Sequence, residues 1–302
     1  MKLWRITIKT DANEGVDPRR FCLERNILGV GWRVQGLPSL DWDRYYALAK
    51  REYYDKRSGG WWPAVNAIRN RMAEDDLCWT RDWTGNYYLG RVGTSWEYRA
   101  EPENLAADVV NIRPCVWSKI GTADSVPGKV VNSFRQGRTV QAVYGETVLF
   151  YSQLAFNRSR GETVYDLSAF ATHSSDLFDL ASPDDCEDIV AIYLQAHLGY
   201  RLIPSSCKVD TVGTEFVLRR SDGKAQVQVK QGGETLDRDH FPFDPSDPFD
   251  WFLFSTSGQY CGDESDHVHC LDPSELCDFA FANPTVMPSR VQRLIEFCRN
   301  GT

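Results

Sequence analysis

Two alternating runs, Thr214-Glu215-Phe216-Val217-Leu218 and Gln226-Val227-Gln228-Val229-Lys230, flank the segment Ser221-Asp222-Gly223-Lys224. Alternation at period two on both sides of a turn signal commits the stretch to a half-buried β-hairpin. Asp-Gly is the strongest short-range signal for the turn itself. Taking Asp222-Gly223 as a two-residue loop sets Ser221 against Lys224 and Glu215 against Lys230, with Gln228 on the same face. Opposed Cβ atoms in a hairpin lie roughly 4.5–5.5 Å apart, so a carboxylate, an amide oxygen and an ammonium are expected to converge. The competing reading is an exposed face on which Glu215 and Lys230 form a surface ion pair, which contributes little.

A helix precedes the hairpin. Ser182-Pro183-Asp184-Asp185 reads as an N-cap, a proline at N1 and an acid at N3, and Gly199 sits where a C′ glycine ends a helix. Glu187, Val190, Ala191, Leu194 and Leu198 fall on one helical stripe, which makes Glu187 the lone charge on an apolar face. A buried carboxylate is costly unless a cation meets it. Alternatively, Glu187 reaches solvent from the edge of the stripe in the first turn, where the helix dipole favours an acid.

From Glu187-Asp188-Ile189-Val190 through Leu198-Gly199-Tyr200-Arg201-Leu202 and Thr214-Glu215 to Val227-Gln228-Val229-Lys230, the chain resembles the PD-(D/E)xK nuclease superfamily. Within it, the resemblance is to the Mrr-like branch of restriction endonucleases that carries Gln-x-Lys. That branch places Gly-x-Asp before the hairpin, whereas this chain has Gly213-Thr214-Glu215, with Asp210 a less favoured substitute for the strand acid. The resemblance covers roughly residues 182–255 and implies an α/β restriction-endonuclease-like core, a mixed sheet flanked by helices. It implies catalytic Glu187, Glu215, Gln228 and Lys230. Mg²⁺, with Mn²⁺ as a substitute, would be held by Glu215, the Gln228 oxygen, the Val229 carbonyl and, directly or through water, Glu187. Lys230 would orient the nucleophile and stabilise the transition state. A neutral Gln228 leaves the site one charge short of Glu-x-Lys, so weaker metal binding is expected.

A chain of 302 residues with 42% hydrophobic and 25% charged residues can bury two ordinary cores. It has no apolar run long enough to span a membrane, and charge interrupts Met1-Lys2-Leu3-Trp4-Arg5 too early for a signal peptide. The expected location is cytoplasmic, with the nine cysteines as reduced thiols. Cys261, His267, His269, Cys270 and Cys277 lack a Cys-x-x-Cys pair, and no zinc site is expected from them. The net charge of −8 is unevenly spread: residues 1–155 hold 22 Lys+Arg against 18 Asp+Glu, and residues 156–302 hold 12 against 24. The first part carries the cations suited to phosphate. Polar, Gly and Ser residues from Asn157 to Ala181 mark a boundary, giving domains 1–155 and 182–302 joined by a linker over 156–181.

The first domain reads as strands over 2–8, 29–32, 87–92 and 109–113, with helical patterns between Leu40 and Met72. Neither Gly29-x-Gly31 nor Gly90-x-x-Gly93 opens a helix in a βαβ unit, so neither is a dinucleotide fingerprint. The order of a Trp-bearing first strand, Gly29-Val30-Gly31-Trp32, Leu77-Cys78-Trp79, Gly90-Arg91-Val92, Trp96-Glu97-Tyr98 and Arg113-Pro114-x-x-Trp117 resembles the PUA/EVE-like family of small β-barrels. In that family the barrel mouth receives a nucleobase, commonly a modified one. The resemblance offers Trp32, Trp79, Trp83, Trp96, Tyr98 and Trp117 as base-binding aromatics, Asp82 as an acceptor for an exocyclic amine, and Arg81 as a phosphate contact. At least half of these aromatics are expected to be core residues instead.

The joint expectation is an α+β protein that acts as a modification-dependent DNA endonuclease for defence against foreign DNA, working as a homodimer because two cuts in a duplex need two sites. Two alternatives stand beside it. The first domain could sense a nucleotide signal or a partner protein, or the nuclease fold could have lost cleavage and serve as a nucleic-acid-binding module.

Overall fold

The computed structural model describes residues 1–36, 38–54, 60–135, 137–167, 176–207, 214–243, 245–246 and 248–300. Asp210 and Gly213 therefore lie outside the described residues. The chain divides into two units, Met1–His173 and Ser174–Thr302, and it is mixed α+β throughout. No described helix is long and apolar enough to cross a membrane.

The first unit runs β1 (Leu3–Ile6), α1 (Pro18–Arg25), β2 (Ile27–Val30), β3 (Ser39–Leu40), α2 (Trp42–Ala49), α3 (Trp61–Asn66), β4 (Leu77–Arg81), β5 (Tyr87–Val92), β6 (Glu97–Arg99), α4 (Pro102–Ala107), β7 (Asn111–Gly121), α5 (Gly128–Ser133), β8 (Val140–Val143) and α6 (Glu146–Arg160). Its sheet has the order β3-β6-β7-β5-β4-β1-β8, with β2 paired to β7. The expected strands over 2–8 and 29–32 are shorter or shifted toward their N-terminal ends, while the one expected over 109–113 extends to Gly121. Trp4, Ile6, Leu28, Tyr45, Trp61, Val65, Ile68 and Ile112 form the core.

The buried charges Asp76 and Arg113 of this unit meet hydrogen-bond partners, as burial demands. Asp76 accepts from the Trp4 indole at 2.8 Å, the Lys2 N–H at 2.7 Å and the Ala73 N–H at 3.0 Å, tying the start of β1 to the turn before β4. Arg113 donates to the carbonyls of Met72 and Gly93, each at 2.6 Å. The last turn of α6, residues 156–160, falls in the span read as linker, and Phe156 is buried there.

The second unit runs α7 (Leu177–Leu180), α8 (Pro183–Leu198), β9 (Arg201–Leu202), β10 (Phe216–Arg220), β11 (Gly223–Lys230), β12 (Leu236–Asp237), β13 (Asp250–Ser255), β14 (Tyr260–Cys261), β15 (Val268–Leu271), α9 (Pro273–Ala282) and α10 (Ser289–Asn300). Five strands form a mixed sheet in the order β15-β13-β11-β10-β9. The β9–β10 and β10–β11 pairs are antiparallel, and the β11–β13 and β13–β15 pairs are parallel. Helix α8 has the caps that its sequence predicts: Ser182 and Asp185 exchange hydrogen bonds in a capping box, Pro183 opens the helix, and Gly199 closes it at a φ of 68°.

Candidate functional site

The hairpin forms, but in a register two residues from the expected one. Phe216 faces Val227 and Arg220 faces Gly223, so the loop is Ser221-Asp222 and Gly223 is already strand. A type I′ turn on Asp-Gly needs positive φ at both residues, and neither Asp222 nor Gly223 has it. Asp222 instead lies 2.7 Å from the Arg220 guanidinium. Side-chain alternation repeats every two residues, so the hydrophobic pattern is identical in both registers and cannot discriminate between them.

The consequence is that Glu215 does not face Lys230. It meets Gln228, whose Nε2 donates to Glu215 Oε1 at 2.7 Å. The competing reading, a surface Glu215–Lys230 ion pair, is not found: Lys230 makes no ion pair among the described residues, although its side chain is only half-exposed. Gln228 is 7% exposed, so its amide must find partners within the protein.

Backbone direction adds a further oxygen. The Val227 carbonyl points toward β10 and accepts from the Glu215 N–H at 2.9 Å. Carbonyls two residues apart on a strand point the same way, and the Lys230 carbonyl, of the other parity, accepts from Thr256 beside β13. The Val229 carbonyl therefore points past the last β10–β11 pair, where Gln228 Nε2 lies 3.4 Å from it. One amide N–H₂ group thus bridges a carboxylate oxygen and an unladdered carbonyl oxygen. The two ends of a glutamine amide are interchangeable by rotation and are assigned from hydrogen bonding. Turned about, the amide presents a third oxygen at the same point, a donor set suited to a hard divalent cation. Among the described residues no three His, Cys, Asp or Glu side chains converge on one point.

Of the two placements open to Glu187, the edge of the apolar stripe is the one observed. The buried positions of α8 are Asp185, Cys186, Ile189, Val190, Ala191, Tyr193 and Leu194; Leu198 is exposed, and Glu187 is half-buried at the margin. The buried acid of this helix is Asp185, held by the Ser182 cap and by Arg290 at 2.9 Å. By alternation, Gln228 and Lys230 share a sheet face with Leu253 and Ser255. Phe178 packs on Phe254, and Gln231 donates to the Ala181 carbonyl at 2.5 Å, so α7 and the start of α8 lie on the opposite face. Glu187 makes no hydrogen bond or ion pair with Glu215, Gln228 or Lys230.

The aromatics of the first unit divide sharply. Trp79 is fully buried and donates to Ser152 Oγ at 3.0 Å; Tyr98 is buried and bonded through its hydroxyl to Val34. Trp96 is buried in a cluster with Trp42 and Tyr45 and donates to Asn111, and half-buried Trp117 donates to the Ile27 carbonyl at 2.8 Å. Each of these four has its indole or phenol polar atom engaged inside the fold, and Trp96 and Tyr98 also line a cavity of about 520 Å³ together with Trp42 and Arg69. Asp82 is also committed. It accepts from Thr84, Asn86 and Tyr88, and although partial burial works against ionisation, the bonds from Asn86, Thr84 and Tyr88 hold its carboxyl down to about 2. It shapes the β4–β5 turn. Arg81 lies over the Phe134 ring at 5.2 Å.

Trp32 and Trp83 remain. Trp83 is 64% exposed, with the Arg19 guanidinium 3.6 Å from its ring centre. Trp32 has a φ of 69°, which is a strained backbone for so bulky a residue. It borders a cavity of about 250 Å³ that also includes Arg33, Tyr53, Asp108 and Lys9. Asp108 and Tyr53 gave no signal in the sequence, since nothing local marks a residue that becomes a wall only on folding. The nearest sign is Gly31: a Cβ there would lie 2.4 Å from Asp108 Oδ2.

No protein-family model and no curated protein matches the chain. Among solved structures, the DNA modification-dependent restriction endonuclease AspBHI aligns over 99% of this chain and 85% of that one, at 12% identity and a TM-score of 0.20. A likeness at that level carries no argument about fold or activity.

Proposed function

We propose that the chain is a metal-dependent DNA endonuclease whose second unit hydrolyses phosphodiesters and whose first unit recognises a base, a modified one in a restriction or defence setting. The observation that carries this reading is the convergence of Glu215, Gln228 and the Val229 carbonyl at the end of a strand whose next residue on the Gln228 face is Lys230, which has no ion-pair partner among the described residues. The mixed sheet with its preceding capped helix supports a restriction-endonuclease-like core, and the β-rich first unit supports the PUA/EVE-like reading.

Glu215, Gln228 through Oε1 and the Val229 carbonyl would hold Mg²⁺ or Mn²⁺. Such an ion, when bound, supplies charge neutralisation at the scissile phosphate and a more acidic attacking water. Lys230, on the face of Gln228, donates hydrogen bonds to a non-bridging phosphate oxygen and to the incoming water, favouring the transition state in which negative charge builds on phosphorus oxygens. Hydrolysis joins the water oxygen to phosphorus and breaks one P–O ester bond. With a single protein carboxylate in the cation set, affinity is expected to be modest. Glu187, on the far sheet face, acts at most through water around the strand end. A homodimer would bring two such sites to a duplex.

The test is cleavage of plain and base-modified duplexes with Mg²⁺ or Mn²⁺ and with EDTA. Glu215→Ala, Gln228→Ala and Lys230→Ala should abolish cutting while the circular dichroism spectrum is retained. A fully active Lys230→Ala protein would overturn the assignment of the centre.

A further inference from the structure

Three side chains rich in donor atoms stand together where β13 begins. Strand β15 runs parallel to β13, with Trp251 paired to Val268 and Phe252 to His269, and the Trp251 N–H donates to the His267 carbonyl at 2.7 Å, so the ladder reaches His267. Residues two apart on a strand share a face, which puts His267 and His269 on the face of Asp250 and Phe252. That is the sheet face opposite Gln228 and Lys230. Asp250 also lies five residues along β13 from Ser255, the partner of Lys230, a separation of roughly 17 Å. The cluster is therefore distinct from the Glu215–Gln228 centre.

Both imidazoles approach one oxygen. Asp250 Oδ1 lies 3.4 Å from His267 Nδ1 and 4.0 Å from His269 Nε2. Hydrogen bonds from N–H to oxygen run from about 2.7 to 3.2 Å, so both approaches are longer than a good one. A tetrahedral zinc ion with bonds of about 2.0–2.1 Å holds its ligand atoms about 3.3–3.4 Å apart. His267 and Asp250 already have that spacing. As placed, the three side chains do not meet at one point; His269 has to close by about 0.6 Å, a small rotation for a side chain that is 43% exposed.

The surroundings orient each member. The Tyr200 hydroxyl lies 3.4 Å from Asp250 Oδ2, leaving Oδ1 to the imidazoles. Phe243 stacks on His267 at 3.9 Å and 12°, and Phe252 stacks on His269 at 5.0 Å and 29°. Fixed ring and carboxylate orientations are what a metal site needs beyond its ligands. Arg220 lies over the Tyr200 ring, but its charge is met by Asp222 at 2.7 Å. Cys270 alternates to the other face and packs with Trp251 and Leu253, so its thiol does not join the set. Two imidazoles and one carboxylate suit Zn²⁺ or a similar transition ion better than Mg²⁺, and three protein ligands leave a fourth position for water or a ligand.

We infer that Asp250, His267 and His269 form a second metal site, one that takes a single Zn²⁺ ion with an open coordination position. It is independent of the proposed nuclease centre.

The full chain, stripped of metal, is titrated with Zn²⁺ by calorimetry near neutral pH, with excess Mg²⁺ present to occupy any site for a hard cation. One equivalent should bind. His267→Ala, His269→Ala and Asp250→Ala should each weaken binding by more than about 100-fold, and Tyr200→Phe by about tenfold. Glu215→Ala should leave it unchanged. His269→Gln replaces His269→Ala if the circular dichroism of the latter shows a lost fold. Co²⁺ in place of Zn²⁺ reports the ligands directly: visible bands of a four- or five-coordinate ion should appear without the near-ultraviolet charge-transfer band that a thiolate ligand gives. Zinc binding that survives substitution of either histidine or of Asp250, a thiolate band, or no binding by the wild-type chain overturns the inference. Loss of zinc binding in Glu215→Ala overturns the independence of the two sites.

Discussion

Gln228→Glu places a second carboxylate against Glu215, at a contact where the native amide stands 2.7 Å from Oε1. Two unit charges about 4 Å apart at an effective dielectric of roughly 20 repel by about 4 kcal/mol. The pair can relieve this by keeping one proton between its oxygens, and that alternative caps the cost. Holding a glutamate protonated at pH 7, about 2.7 pH units above its ordinary value, costs about 3.7 kcal/mol at 1.36 kcal/mol per unit. At pH 5 the same cost falls to about 1 kcal/mol. The sign follows: a carboxyl raised in the folded state binds its proton more tightly there than in the unfolded chain, so stability drops as pH rises from about 4.3 toward the folded value and stays low above it. For a unit of this size about 4 °C of melting temperature accompanies each kcal/mol. Thermal unfolding in EDTA should therefore place the variant about 10–15 °C below wild type at pH 7 and within about 5 °C at pH 5. Mg²⁺ at 100 times its dissociation constant should recover most of the deficit at pH 7, because binding at that level adds about 2.7 kcal/mol. A variant as stable as wild type at pH 7 in EDTA, or one indifferent to both pH and Mg²⁺, would refute the Glu215–Gln228 geometry and the cation site built on it.

Two further outcomes follow from burial. Asp108→Asn keeps the left-handed backbone and the acceptor for the Asp11 N–H while removing a charge that burial disfavours; it should raise the melting temperature above pH 7 and leave it unchanged below about pH 4. A lower melting temperature at pH 8 would mean that Asp108 is a stabilising group and not a strained one held for a ligand. Trp79→Ala should cost about 3–5 kcal/mol by the cavity it opens, read as a shift of the urea midpoint; a surface-like loss below about 1 kcal/mol would contradict its burial.

Local chemistry determined much of the second unit. Ser182, Pro183, Asp185 and Gly199 define α8 because caps act through backbone groups within a few residues of one another. The alternation on either side of Ser221 determined that Glu215, Gln228 and Lys230 belong to one hairpin and that Gln228 and Lys230 share a face, because side-chain direction on a strand depends only on parity. What parity cannot determine is the register, since a slip of two residues preserves every face. Only the folded pairing decided that Glu215 meets Gln228 and leaves Lys230 without an ion pair among the described residues. The same holds for the aromatics. Trp79 and Trp83 are four residues apart on one hairpin, yet one is fully buried and the other is 64% exposed, because burial depends on what packs from distant chain segments such as Ser152 and Arg19. The Trp32 cavity is wholly tertiary: Asp108 covers Gly31 across a sequence separation that no short-range pattern encodes, and a wall of this kind exists only once the chain has closed on itself.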